Sequence, residues 1–154
     1  MKLAVTLSAL ILAVSSLDAS AAAVRWQGEF MITASSGTCD YDPTGDFGRA
    51  RFRPGIGGEN GAMSQLTFFG SRNASSFRLD PGMFNTNFKT VQTMYVGDGF
   101  GPVDNVVKVR FATSEPSTIK TGTDFLAITG QIKGYDFMPL CTVDFKMSLV
   151  QRVE

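Results

Sequence analysis

Histidine is missing from all 154 residues. Its absence removes the side chain that most readily exchanges protons near neutral pH, the Ser-His-Asp triad and every imidazole-held metal site. There are only two cysteines, Cys39 and Cys141. A thiol nucleophile here would lack the histidine that usually activates it. The 14 basic and 14 acidic residues cancel, so no long-range field draws the chain to nucleic acid or to an anionic membrane. Apolar stripes at helical spacing do not occur beyond the N-terminal stretch, and there are no internal repeats or low-complexity segments.

That N-terminal stretch is the first thing the chain does have. Lys2 supplies a positive start, Leu3 to Leu17 form an apolar run, and Ala19-Ser20-Ala21 and Ala21-Ala22-Ala23 offer small residues to a signal peptidase. This is the layout of a secretory signal peptide over residues 1–23. The run is shorter than the roughly 20 residues a membrane span needs, and no second run follows. No lipobox-like cysteine follows it either. The expected mature domain, residues 24–154, then works in the periplasm or outside the cell, where Cys39 and Cys141 can pair. About 130 residues suffice for one core, and all thirteen phenylalanines fall within them.

Alternation dominates the mature part and predicts strands with one buried face. Trp26, Gly28, Phe30 and Ile32 share one parity against Arg25, Gln27 and Glu29. Gly48, Ala50 and Phe52 alternate with Arg49, Arg51 and Arg53. Further on, Leu66 and Phe68, then Phe77 and Leu79, then Val91, Thr93 and Tyr95 repeat the pattern. The clearest cases come late: Val103, Val107, Val109 and Phe111; Leu126, Ile128, Gly130 and Ile132; and Cys141, Val143, Phe145, Met147 and Leu149.

Turn chemistry separates these runs at Asp42-Pro43, Gly55 to Gly61, Asp80-Pro81-Gly82, Gly97 to Pro102, Glu115-Pro116 and Gly134. About eight short strands of this kind predict an all-β fold, an antiparallel barrel first and a β-sandwich second. Cys39 lies just past the first strand and Cys141 opens the last, so their bridge would join the two ends of the domain as neighbours.

Several local patterns invite chemical readings. Asp40, Asp42, Thr44 and Asp46, with Gly45, resemble the opening of an EF-hand calcium loop. The twelfth place is Arg51, where such a loop needs a bidentate glutamate, so a turn is the preferred reading and no metal is expected. Gly55 to Gly61 lacks the lysine and following helix of a phosphate cradle. Arg49, Arg51 and Arg53, with Arg72 and Arg78 on nearby strands, could grip an anion, although a solvated outer face explains them as well. Tyr41, Phe84, Phe100, Tyr135 and Phe137 fall in turns or at strand ends, where rings either line a ligand mouth or plug the barrel. Phe68 and Phe69 are adjacent and must point to opposite faces. Asn73-Ala74-Ser75 matches the N-glycosylation pattern, a match read as chance because the signal and the small size look bacterial.

In size, signal and strand pattern the chain resembles the lipocalins, whose first strand carries glycine, one residue, then tryptophan. Here Trp26-Gln27-Gly28 reverses that order, so the resemblance implies architecture alone. An outer-membrane barrel is disfavoured by outward Arg49, Arg51, Lys108, Arg110 and Lys146. The expectation is a small exported β domain that binds a protein or small-molecule partner, with Arg49, Arg51, Arg53, Phe84, Phe100 and Phe137 as candidate surface. It needs no cofactor, does not engage nucleic acid and is not an enzyme. An envelope component assembling through an open strand edge is the alternative, and a histidine-free hydrolase comes third.

Overall fold

Each alternating segment has one face that must leave water, and here those faces meet around one axis. The computed structural model describes residues 24–53, 64–71, 73–79, 87–97, 100–117 and 122–153. The expected signal, the Gly55–Gly61 stretch, Asp80-Pro81-Gly82, Arg72 and Phe84 lie outside the described residues. Eight strands form: β1 (Val24–Gly37), β2 (Phe47–Arg53), β3 (Ser64–Phe69), β4 (Asn73–Leu79), β5 (Lys89–Gly97), β6 (Phe100–Glu115), β7 (Phe125–Lys133) and β8 (Cys141–Val153). They pair antiparallel in chain order, and β1 closes on β8. The result is an up-and-down barrel, not a sandwich. A 3-10 turn, Tyr135–Phe137, is the one helical element among the described residues.

The inward faces are those the alternation predicts, except that Val103, opposite Tyr95 beside the β5–β6 bulge, is exposed. Trp26, Phe30, Ile32, Phe52, Leu66, Phe68, Phe77 and Leu79 are buried, as are Val107, Val109, Phe111 and the odd-numbered set from Cys141 to Leu149. Phe69 points outward while Phe68 points inward. The predicted turn from Gly97 to Pro102 is shorter than expected. β5 runs through Gly97, β6 begins at Phe100, and Pro102 lies inside β6 where the register with β5 shifts. A bulge tolerates proline because the ladder is already interrupted there.

Aromatic packing fills the barrel. Phe30 stacks on Phe68 with centroids 4.2 Å apart, and Phe68 meets both Phe77 and Phe145 edge-on at 5.4 Å. Phe145 continues to Phe111 at 6.1 Å. Gly130 makes room for this chain of rings, since a Cβ there would lie 2.5 Å from the Phe145 ring. Trp26, fully buried, packs against Phe52 and donates from Nε1 to the Thr123 carbonyl at 2.7 Å, closing one end. A barrel of eight strands is just wide enough for side chains to fill it, and this one is filled by phenylalanine.

The seam is covalent. β1 and β8 pair from Val24↔Val153 to Gly37↔Cys141, with a bulge between Ile32 and Ala34. Directly beyond it Cys39 is bonded to Cys141, which lies 102 residues away in sequence.

Two stability outcomes follow from this packing. Phe68→Ala should lower the unfolding free energy by about 3–5 kcal/mol, as for other large core rings cut to alanine; urea titration giving a loss below about 1 kcal/mol would show that the rings do not carry the core. Cys39→Ser with Cys141→Ser should cost about 4 kcal/mol on the chain-entropy account. Equal denaturation midpoints for the double variant and the oxidised parent would refute that.

Candidate functional site

Two connections meet at the disulfide end, and each is shaped by local chemistry. Between β1 and β2, Asp42 Oδ1 accepts the Thr44 backbone N–H at 2.9 Å and the Ser35 hydroxyl at 2.8 Å. This is an Asx turn. The Thr44 N–H, then the Thr44 and Ser35 hydroxyls, hold the Asp42 carboxyl below its ordinary range. Gly45 takes φ 92°, and the connection is tied back by Gly45 N–H to Ile32 O at 2.9 Å and Ile32 N–H to Asp46 O at 2.7 Å. The calcium-like pattern of Asp40, Asp42, Thr44 and Asp46 is thus a turn whose central carboxylate serves its own backbone. Among the described residues no group of three or more acids and cysteines is placed to hold a metal.

Between β7 and β8 the backbone is less ordinary. After Gly134 at φ 81°, Asp136 and Phe137 sit at φ 50° and 61°, left-handed values that side chains seldom adopt. Such residues cost roughly 1–3 kcal/mol each and persist where the surroundings over-determine them. Here the surroundings are the disulfide and three backbone bonds: Gly134 N–H to Cys141 O, Met138 N–H to Tyr135 O and Cys141 N–H to Met138 O. The reversal drives Tyr135 and Met138 into the barrel and leaves Phe137 half exposed, edge-on to Tyr95 at 4.9 Å. Tyr135 therefore plugs the end while Phe137 rims it.

The two connections are joined directly. The Tyr41 hydroxyl donates to Asp136 Oδ2 at 2.7 Å, and the Asp40 backbone N–H points to Met138 Sδ at 3.0 Å. Beside them opens a cavity of about 1150 Å³. Tyr41, Tyr95 and Tyr135, the only tyrosines in the chain, all line it, together with Phe47 and Phe69. So do Glu29, Asp46 and Asp136, with Arg49 on the rim. Gly48 lets the β3 backbone approach at the floor, since a Cβ there would overlap the Phe69 carbonyl and lie 2.9 Å from the Phe30 ring. A second, far smaller cavity of about 10 Å³ lies under the plug beside Thr93 and Tyr135, room for one water.

Electrostatics distinguish this mouth from an ordinary rim. Loss of surrounding water, then Asp136 and Asp42, push the Asp46 carboxyl above its usual range. Burial, then the neighbouring Asp136 and Asp46, push the Tyr135 phenol up. Burial and the hydrogen bond to Asp136 do the same to Tyr41. Both hydroxyls stay protonated and able to donate.

The residues singled out from sequence do not form one site. Arg49, Arg51 and Arg53 point outward along β2, and only Arg49 reaches the mouth. Arg51 lies 5.6 Å from the Phe69 ring centroid, and its buried Nε has no hydrogen-bond partner. Phe100 starts β6 with its side chain outside the described set, and Phe137 packs on Tyr95. The convergence of Tyr95, Phe47, Phe69, Asp46 and Asp136 escapes sequence reading. The one local signal was Gly134-Tyr135-Asp136-Phe137, a glycine turn carrying two rings around an acid.

No family model matches this chain, and no curated protein or solved structure matches it.

The raised Asp46 carboxyl has a stability consequence with a definite sign. A carboxyl whose folded-state pKa exceeds its unfolded value disfavours the folded state once ionised, so its penalty is present at neutral pH and fades as pH falls through the folded pKa. Asp46→Asn should therefore raise the melting temperature at about pH 7 and leave it unchanged near pH 3, below the carboxylate range. Scanning calorimetry showing a lower melting temperature at neutral pH would contradict this reading.

Proposed function

We propose that this chain is an extracytoplasmic binding module that seats a small ligand in the open mouth of its barrel. The single observation that carries this reading is the convergence, among the described residues, of six rings, three carboxylates and one guanidinium on one cavity of about 1150 Å³. Ligand sites are concavities with apolar walls and a few aimed polar groups, and this mouth has that composition. The filled interior supports the same reading by exclusion, because phenylalanine occupies the space a central ligand would need.

Three further features agree. The strained Asp136-Phe137 pair is the kind of backbone outlier that clusters at ligand clamps. The disulfide suits an oxidising compartment, secreted or periplasmic. Closure of the barrel pairs each of the eight strands on both sides, which favours binding at a mouth over assembly by strand addition, a mode that needs an open edge.

The test is a fragment screen on the isotopically labelled protein, using neutral, cationic and anionic fragments and following backbone amide shifts. Hits should converge on Tyr41, Tyr95, Tyr135 and their neighbours. Ser71→Trp, which crowds the mouth from its exposed rim, should abolish them while the remaining amide spectrum persists. Hits that gather on the outer face, or that survive Ser71→Trp, would overturn the proposal.

A further inference from the structure

Resting on the mouth as the ligand site, we propose that the group it recognises is an organic cation, an alkylammonium of the kind carried by polyamines and by lysine side chains. The first argument is charge. Glu29, Asp46 and Asp136 line the cavity, with Arg49 the one cation among the described lining residues, and Asp42 adds its field to Asp46 from the same connection. Asp46 and Asp136 repel one another, while Glu29 lies directly across from Arg49. An anionic ligand would worsen that repulsion and a neutral sugar would leave it unrelieved, whereas a cation removes it.

The second argument is the rings. The face of an aromatic ring attracts a cation, more so where water is excluded. The protein already uses its own rings in this way: Phe69 lies 5.6 Å from the Arg51 guanidinium, and Phe88, elsewhere on the surface, lies 4.2 Å from the Lys133 ammonium. Tyr41, Tyr95 and Tyr135 offer the same surface in the mouth beside the carboxylates, with Phe47 on its exposed rim.

The third argument is a polar group without a partner. Tyr135 is only 6 % exposed yet lines the mouth, and its hydroxyl forms no hydrogen bond with any described residue. Tyr41, in contrast, spends its hydroxyl on Asp136. The Tyr135 hydroxyl is reachable from the open mouth, so a ligand seated there can engage it. Its oxygen can accept an ammonium N–H alongside the carboxylates.

Binding should be linked to protons. The groups facing Asp46 are Asp42 on its own connection and Asp136 and Tyr135 from the β7–β8 turn, with Glu29 of β1 and Arg49 of β2 on the rim. A cation seated among them favours the ionised Asp46, so binding releases protons and tightens as pH rises through the carboxylate range.

The experiment is an amide-shift titration of the oxidised protein with spermidine, with a lysine-centred blocked tripeptide, and with two neutral controls, the same tripeptide acetylated on lysine and cellobiose. Both cations should shift the mouth amides saturably, with affinity about tenfold weaker near pH 4 than near pH 7. Asp46→Asn should lose about tenfold at neutral pH and flatten that pH dependence. Tyr135→Phe, which keeps the plug, should weaken binding while leaving the spectrum native. Which cation binds more tightly tells a free polyamine from a lysine-bearing chain. If cellobiose saturates the mouth amides and the cations do not, the cation assignment fails and the mouth survives as a site. If cation binding ignores both pH and Asp46→Asn, the assignment also fails. If no probe moves the mouth amides, the cation assignment falls and the diverse fragment screen decides the mouth itself.

Discussion

The structure depends on the seam where the first and last strands meet. Pairing β1 with β8 turns a meander into a closed barrel, and closure gives the phenylalanines an inside to share. The Cys39–Cys141 bond sits at the end of that seam and so does more than restrict the unfolded chain. It fixes the β1–β2 connection, which carries Tyr41 and Asp46, against the β7–β8 connection, which carries Tyr135 and Asp136. The left-handed Asp136-Phe137 pair is held between that bond and the bonds of Met138 and Gly134. Stability and site geometry therefore share one anchor.

The filled interior leaves the rim as the place for the proposed ligand. In a barrel of eight strands the inside can hold either side chains or one small ligand. The stacked and edge-on rings from Phe30 to Phe111 take the first option. What remains concave is the end where Gly48 withholds a side chain and the connections stand apart. The ligand space we propose therefore lies above the core.

The fold was legible because a barrel strand writes its orientation every second residue. From Cys141 to Leu149 the odd residues are all inside, as their sequence alone announces. The bridge was legible too, because Cys39 and Cys141 bracket the first and last strands. The site was not. Tyr95 reads as one more inward residue of β5, and only the β7–β8 turn folding over the mouth makes it a partner of Phe137. Asp46 reads as the tail of a turn and Asp136 as a loop acid; 90 positions separate them, and nothing local says they meet. The arginine stripe misled for the opposite reason. Its alternation is sharp, but that regularity spaces the guanidiniums along β2 and keeps them from converging.

A last step concerns why this rim holds groups that do not help it fold. Two like charges face each other, a tyrosine hydroxyl lacks a partner, and two residues occupy left-handed backbone. The facing charges and the left-handed backbone cost free energy that a leucine or asparagine in place of an acid, or a glycine in the turn, would avoid. Elsewhere in the same barrel local choices largely agree with the global fold, with the buried Arg51 Nε and Thr93 Oγ1 left without hydrogen-bond partners as exceptions. Sequences that specify their structure this consistently depart from it chiefly where function requires. Asp46, Tyr135 and Asp136 lie together on the walls of one cavity, and the charge that Asp46 and Asp136 leave unbalanced between them is what the proposed cation would relieve.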